Sequence, residues 1–259
     1  MRLDLFTNNI FSSSITSQSR LQQLANSLHP VKTKFELVRI GKDSDGGYLM
    51  PNDMSSIAAC FSPGVEQNST FEIDLLYKSG IQSHLADLSV DGPPSNFFPK
   101  SFTKKFLGPV NNNTHMTLEK WIIEREENLH NQDLLLQMDI EGDEYTTILA
   151  TRDEILTRFR IIIIELHHIE GWGNPYIFSI VESFFNKLLN NFYIVHNHPN
   201  NHGKILNLNG FIVPQFMEMT FLRKDRSPSE GFCNQFPHHL DHPCYSGNPE
   251  IVLPSNWHA

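Results

Sequence analysis

The sequence predicts an α/β protein: an open, mostly parallel sheet with helices on both faces and a late antiparallel strand at one edge. Three observations predict it. Short β-like apolar runs alternate with helix-length stretches from residue 56 onward. Those runs, LLLQM and IIIIEL among them, are apolar enough to be covered on both faces, as the strands of a parallel sheet are. The polar residues cluster where the runs end, which is where open α/β sheets bind their ligands.

The elements follow in order. Residues 1–35 read as an N-terminal helical extension, with LQQLANSL as its helix and Pro30 marking a turn. Residues 36–226 form the sheet domain. Within it SIAACFS is a strand, STFEIDLLYKSG a helix ending at Gly80, IQSHLAD a strand, MTLEKWIIERE a helix and DLLLQMDI a strand. YTTILATRDEIL then reads as one helix, FRIIIIEL as a strand, PYIFSIVESFFNKLLNN as a helix and NFYIVHNH as a strand. FIVPQFMEMTFLR, which holds Pro214, fits a single late strand near an edge. Residues 227–259, rich in Pro, His and Asn, read as an irregular C-terminal wrap.

Composition narrows the function. With 39% apolar and 19% charged residues the chain reads as globular, and no stretch reaches the length of a membrane span. The formal net charge is -9, and the basic residues cluster only at Lys104-Lys105 and in the run Arg223 to Arg226. Charge-driven binding of nucleic acid is therefore excluded, and a small-molecule partner is expected. MRLDLFTNNIFSSS lacks the apolar core and cleavage site of a secretory signal, so residence in the cytoplasm is expected. Cys60, Cys233 and Cys244 are too few and scattered for a disulfide framework, and no CxxC pair suggests structural zinc. Reduced thiols are expected.

The strand ends carry the candidate chemistry. LLLQMDIEGDEY crowds Asp139, Glu141, Asp143 and Glu144 into six positions, a cost that solvent, a metal or hydrogen-bond donors must offset. In SPGVEQ, between Ser62 and Glu66, Gly64 permits close backbone approach; the turn reads equally as a nucleotide-binding turn or a plain Pro-Gly turn. Asp87 ends the second strand, the position from which an acid bonds ribose hydroxyls. Asp139, Glu165, His167 and His198 come from three strand ends, and convergent imidazole and carboxylate donors suit Mg, Mn or Zn. A hydrogen-bonded cluster without an ion is the alternative. In DGGY, Asp45 and Tyr48 either border a cofactor pocket or belong to an ordinary hairpin leading into YLM.

QMDIEGDEYTTIL, preceded by the helix TLEKWI and followed by IIIIELHHIEGW, resembles the strand-end Asp-x-Glu-Gly-x-Glu motif of the FkbM family of S-adenosylmethionine-dependent methyltransferases. RIGKDSDGGYLM and IVHNHPNN resemble a subgroup of that family, so the resemblance covers residues 36 to 223. It implies a Rossmann-like methyltransferase sheet, S-adenosylmethionine as donor, transfer to oxygen of a sugar or other small hydroxyl acceptor, and no nicotinamide. One departure is that SPGVEQ keeps a single glycine where typical methyltransferases have a glycine-rich turn.

On this resemblance the cofactor-binding residues are Asp45, Tyr48, Ser62, Gly64, Glu66, Asp87 and Asp139. The catalytic base is Asp139, His167 or His198, unless a metal lowers the acceptor's pKa. Asp139 and Glu141 are the better site acids; Asp143 would cap the next helix and Glu144 would sit in its first turn, favoured by the helix dipole. Trp172, Tyr176 and the tail QFPHHLDHPCYSGNPE either line an acceptor pocket or serve as core and wrap. Two other functions compete. A non-catalytic nucleoside-binding scaffold draws on the reduced glycine turn, and a metal-dependent hydrolase draws on the same histidines and carboxylates, without an HExxH motif.

Overall fold

The computed structural model describes residues 15–94, 97, 99–125 and 132–258. The first 14 residues of the expected extension, and the end of the expected helix MTLEKWIIERE beyond Arg125, lie outside them. Seven strands form the main sheet: β1 (Ile57–Pro63), β2 (Ser83–Ala86), β3 (Ser101–Thr103), β4 (Asp133–Met138), β5 (Phe159–Leu166), β6 (Phe192–Pro199) and β7 (Met217–Arg223). Their spatial order is β6-β7-β5-β4-β1-β2-β3. The first five run parallel, and β7 pairs antiparallel with both β5 and β6. The chain moves outward from β1 to β3 and then returns to the other side of β1 for β4. That reversal opens a crevice at the carboxyl ends of β1 and β4.

Alternation along the strands feeds two cores. From β4 and β5, Leu134, Leu136, Met138, Phe159, Ile162, Ile164 and Leu166 enter the larger one, which holds Trp121, Trp172, Phe184 and Phe185. Leu135, Ile161 and Ile163 point the other way, against Tyr48, Phe71 and Leu75. Every residue of β5 is buried, as an apolar strand covered on both faces must be. Helix α1 (Gln18–Ser27), α3 (Leu118–Arg125), α4 (Glu144–Ala150), α5 (Asp153–Leu156) and α6 (Pro175–Asn191) contribute to the first core, and α2 (Thr70–Ser79) to the second. In α6, Asn174 accepts from the Tyr176 and Ile177 amides and Pro175 opens the helix, so cap and first residue agree. Among the described residues no helix is long and apolar enough to cross a membrane.

Three expectations need correction. The antiparallel strand is not at the edge: β7 lies between β5 and β6, and the edge belongs to Phe192–Pro199. Six of its seven residues are buried, which an edge position would not demand. The stretch expected as one late strand also divides, with Phe211–Pro214 pairing with Ile205–Leu208 in a separate hairpin before β7 begins. The helix expected over residues 145–156 breaks into α4 and α5 because Thr151 and Arg152 are extended, while the Thr151 hydroxyl bonds back to the Thr147 carbonyl at 2.8 Å. Past Ser227 the described residues of the tail hold no α-helix or paired strand beyond one bridge, Val31 to Phe232, yet Trp257 inserts beside Trp172 and Phe211.

The amino ends of the strands are tied by a buried ion network. Arg160, 4% exposed, donates to Asp133 at 2.8 Å and to the Asp53 and Ser55 carbonyls at 2.9 and 2.7 Å. Arg223 holds Asp133 and Arg226 holds Asp53, each at 2.7 Å. The basic run noted in the sequence is thus partly spent on structure. Removing one partner of a buried network leaves charge without compensation. Arg160→Ala should lower unfolding free energy by roughly 3 kcal/mol, the low end for buried pairs because each carboxylate keeps a second arginine. Urea unfolding checks this, and an unchanged midpoint with unchanged slope contradicts it.

Candidate functional site

Gly64 fixes the geometry of the crevice. Its φ is +84°, its amide donates to the Ala86 carbonyl at 2.9 Å, and a Cβ built on it would lie 1.5 Å from the Asp139 carbonyl oxygen. Only glycine lets the chain leaving β1 pass against the chain leaving β4. The DGGY turn closes over this junction from the hairpin Leu37–Ile40/Tyr48–Pro51. Gly46, at φ +80°, lies so close to the Asn68 side chain that a Cβ would sit 2.4 Å from Nδ2, and Thr70 donates to the Gly46 carbonyl at 3.2 Å. The hairpin therefore packs on the start of α2. Ser69 makes no side-chain capping bond there; Asn68 caps locally, accepting from the Thr70 amide at 3.2 Å.

Between these elements lies a cleft of about 1460 Å³, and Asp45, Tyr48, Gly64, Glu66, Asp87 and Asp139 all line it. Ser62 does not: it is fully buried beneath the wall, bonded to Glu72 and, at 2.6 Å, to Gln137, and those two residues face the cleft instead. Asp87 braces the loop after β1. Its Oδ2 accepts from the Glu66 amide at 2.9 Å, and its Oδ1 accepts from the amide and hydroxyl of Ser89, each at 2.7 Å. Tyr48 packs edge-on against Phe71. Burial, followed by the charges of Asp139, Glu165, Glu218 and Asp45, pushes its phenol well up, so it stays a proton donor.

The four crowded acids divide. Glu144 is fully buried, and its Oε1 accepts from the amides of Ile140 and Gly142 and lies against His167 Nδ1, all at 3.1 Å. It anchors the turn, a larger role than the dipole contact expected for it. Asp143 occupies the cap position of α4 but makes no capping bond. Glu141 is exposed and lies 3.6 Å from His167 Nε2. Asp139 Oδ1 is buried without a hydrogen-bond partner, 3.8 Å from His167 Nε2. Burial pushes Asp139 up to about 8; the His167 charge pulls it down, and Glu144, Glu141 and Asp45 push it further up. Burial alone would lower His167, but the bond and charge of Glu144, with Asp139 and Glu141, raise it to about 9.

The four residues expected to share a metal do not form one donor set. Asp139 and His167 meet Glu144, whereas Glu165 accepts from Asn200 at 2.8 Å and His198 has both nitrogens engaged, by Glu218 at 3.0 Å and Glu250 at 2.8 Å. The cause is the register: β7 lies between β5 and β6 and sets Glu218 directly between Glu165 and His198. Glu165, His167 and His198 also lie off the cleft wall. Trp172 is core, and Tyr176 and the tail do not line the cleft; Ile177, Ile180 and Val181 of α6 line it, as do Phe106, Leu107 and His115. Glu72 and Gln137 escaped sequence reasoning, although a glutamine inside LLLQM was a visible signal.

Fold and site define a mixed α/β domain on a mostly parallel seven-stranded sheet, with an acidic cleft where the strand order reverses. The chain belongs to the FkbM methyltransferase family: the model of the Methyltransferase FkbM domain matches residues 64–198, just over half of the 259 residues. The match begins at Gly64 and ends at His198, inside the limits of 36 and 223 expected from the motifs. No curated protein matches the chain.

Glu72 offers a stability test. Burial raises its carboxyl from 4.5 to about 7 against the lowering effect of the Ser62 hydroxyl. When protonated it donates to Ser62, which frees the single Ser62 hydrogen for Gln137. The folded chain then holds a proton that the unfolded chain releases above pH 4.5, so stability falls as pH rises toward 7 and levels off beyond it. Glu72→Gln should gain on the wild type by about 2 to 3 kcal/mol between about pH 5 and about pH 8. Denaturation at both pH values decides it, and parallel curves for the two proteins contradict it.

Proposed function

We propose that the chain is an S-adenosylmethionine-dependent methyltransferase, built on a Rossmann-like sheet, that methylates a hydroxyl oxygen of a small polar acceptor such as a sugar. The observation that carries this reading is one cleft wall bearing Asp87 from the end of β2 and Asp139 from the end of β4, on either side of Gly64. Family membership supports methyl transfer, and the cleft supports the donor. About 1460 Å³ exceeds the roughly 300–1,000 Å³ of a pocket for one ligand, which leaves room for donor and acceptor side by side. Three free cysteines suit a reducing compartment such as the cytoplasm.

The wall fits the donor. Val65, Phe71, Leu107 and Ile140 offer apolar surface to a purine. Asp87 accepts three hydrogen bonds from the chain, one fewer than a carboxylate can take, and the remaining lone pair suits a ribose hydroxyl. Asp45 and Glu141 face the cleft with charge complementary to a sulfonium. S-adenosylmethionine, when bound, supplies an electrophilic methyl group on positively charged sulfur.

The rest is done by the chain. The two walls hold the acceptor oxygen in line, a positioning effect that can remove on the order of 7 to 11 kcal/mol of barrier. Asp139, whose side chain is partly exposed at the cleft, takes the acceptor's proton. His167 acts as a positioning residue: Glu144 orients its ring and its positive charge favours the ionised form of Asp139. Ile177, Ile180 and Val181 exclude water from the opposite wall. His198, engaged on both nitrogens outside the cleft, takes no part in the proton transfer.

Calorimetry with S-adenosylhomocysteine tests donor binding. Asp87→Ala should weaken it by roughly 10- to 150-fold, the loss of a charged hydrogen bond worth about 1.5–3 kcal/mol. Unchanged affinity in a folded variant removes Asp87 from the site, and no binding by the wild type removes the proposal. The base is read from the pH dependence of kcat/KM with any hydroxyl acceptor that turns over. The rate should rise with pH through about 8, as Asp139 ionises. His167→Gln should move that rise to higher pH by removing the neighbouring positive charge, and Asp139→Asn should abolish it with a loss of roughly 100- to 10,000-fold. A rise that persists in Asp139→Asn contradicts the assignment.

A further inference from the structure

A second cluster of metal-ligating side chains lies outside the cleft. His198 of β6 stands directly opposite Glu218 of β7, and Cys244 of the tail closes over both. All three are at most 5% exposed, and one ligand atom from each lies within 4.8 Å of the others. His198 Nδ1 is 3.0 Å from Glu218 Oε2, and Cys244 Sγ is 3.2 Å from Glu218 Oε1. Around a tetrahedral zinc ion, with bonds of about 2.0–2.3 Å, neighbouring donor atoms stand roughly 3.3–3.6 Å apart. Both Glu218 contacts are within a few tenths of an ångström of that spacing, and the third pair lies within 4.8 Å.

We propose that His198, Glu218 and Cys244 form a structural site for a zinc-class divalent cation that fastens the C-terminal tail to the sheet. The surroundings supply an independent argument. His198 Nε2 lies 2.8 Å from Glu250 Oε1, and a metal-bound histidine ordinarily gives its other ring N–H to a carboxylate, which assigns Nδ1 as the ligand atom. Among the described residues no lysine or arginine pairs with Glu218 or Glu250. A borderline-soft donor set of sulfur, nitrogen and oxygen selects zinc over magnesium or calcium. Three protein ligands leave one tetrahedral position for water.

The site has a mechanical purpose in the fold. Residues 227–258 contain no α-helix and one isolated bridge. A segment of that length without secondary structure needs other attachments. The tail nevertheless supports the cleft: the Cys244 carbonyl accepts from the Asp45 amide at 3.0 Å, and Asn201 accepts from the Tyr245 amide at 2.8 Å. A cation held by Cys244 would link the two edge-side strands to the loop that carries Asp45.

The test uses the full chain and does not depend on activity. Protein purified without chelator should contain one zinc per chain by mass spectrometry of the metals. Chelated protein titrated with cobalt should develop a near-ultraviolet thiolate-to-cobalt band. Cys244→Ser should lose the band and Cys233→Ser keep it; Glu250→Gln should weaken zinc binding by roughly 10- to 100-fold. Chelation should expose residues 227–258 to protease before the sheet is cut. Wild-type protein that takes up neither zinc nor cobalt overturns the proposal, as does a band that survives Cys244→Ser. A thermal midpoint and proteolysis pattern unchanged by chelation would also overturn it.

Discussion

No side-chain atom fits between Gly64 and the carbonyl of Asp139, and the site depends on that contact. Because the chain leaving β1 passes so close to the chain leaving β4, the two strand ends share one rim instead of splaying apart. Asp87, from the next strand outward, fastens the loop on one side of the contact by accepting from Glu66. Glu144 fastens the turn on the other side by accepting from Ile140 and Gly142. A glycine, two carboxylates and the amides they hold are enough to place an acidic wall at the switch point of the sheet.

The crowding of acids in DIEGDE is resolved by unequal satisfaction. Glu144 receives two amide bonds and an imidazole at Oε1, so that oxygen is compensated, while Oε2 has no partner. Asp139 receives none at Oδ1 and is held toward its neutral form. An unsatisfied buried carboxylate costs free energy, and such exceptions concentrate at functional sites. Here the acid with fewer partners faces the cleft, while the acid with the most partners sits behind it. That ordering is what a proton acceptor with a rigid support requires.

Much of this was legible in the sequence because strand ends mark the rim of a parallel sheet. Asp87, Asp139 and Gly64 could be placed from apolar runs and the turns that follow them, and DGGY from its paired glycines. Register was not legible. Which residue of β7 stands beside His198 depends on pairing between segments about 20 residues apart, and Cys244 reaches the same point from farther along the chain. The expected metal ligands were accordingly drawn from strands that β7 keeps apart. Local backbone choices were also hidden, since nothing in the apolar pattern of residues 145–156 announces that Thr151 turns its hydroxyl back on the helix. Ser62 read as a ligand contact from its place in the turn, yet the strand still runs there and buries it.

A crystal structure of the chain with S-adenosylhomocysteine measures the donor geometry directly. The ribose hydroxyls should lie within hydrogen-bond distance of Asp87, and the sulfur should face the part of the cleft lined by Asp139, with the α6 residues across from it. A ligand bound elsewhere, or one that touches neither Asp87 nor the rim at Asp139, would contradict the account.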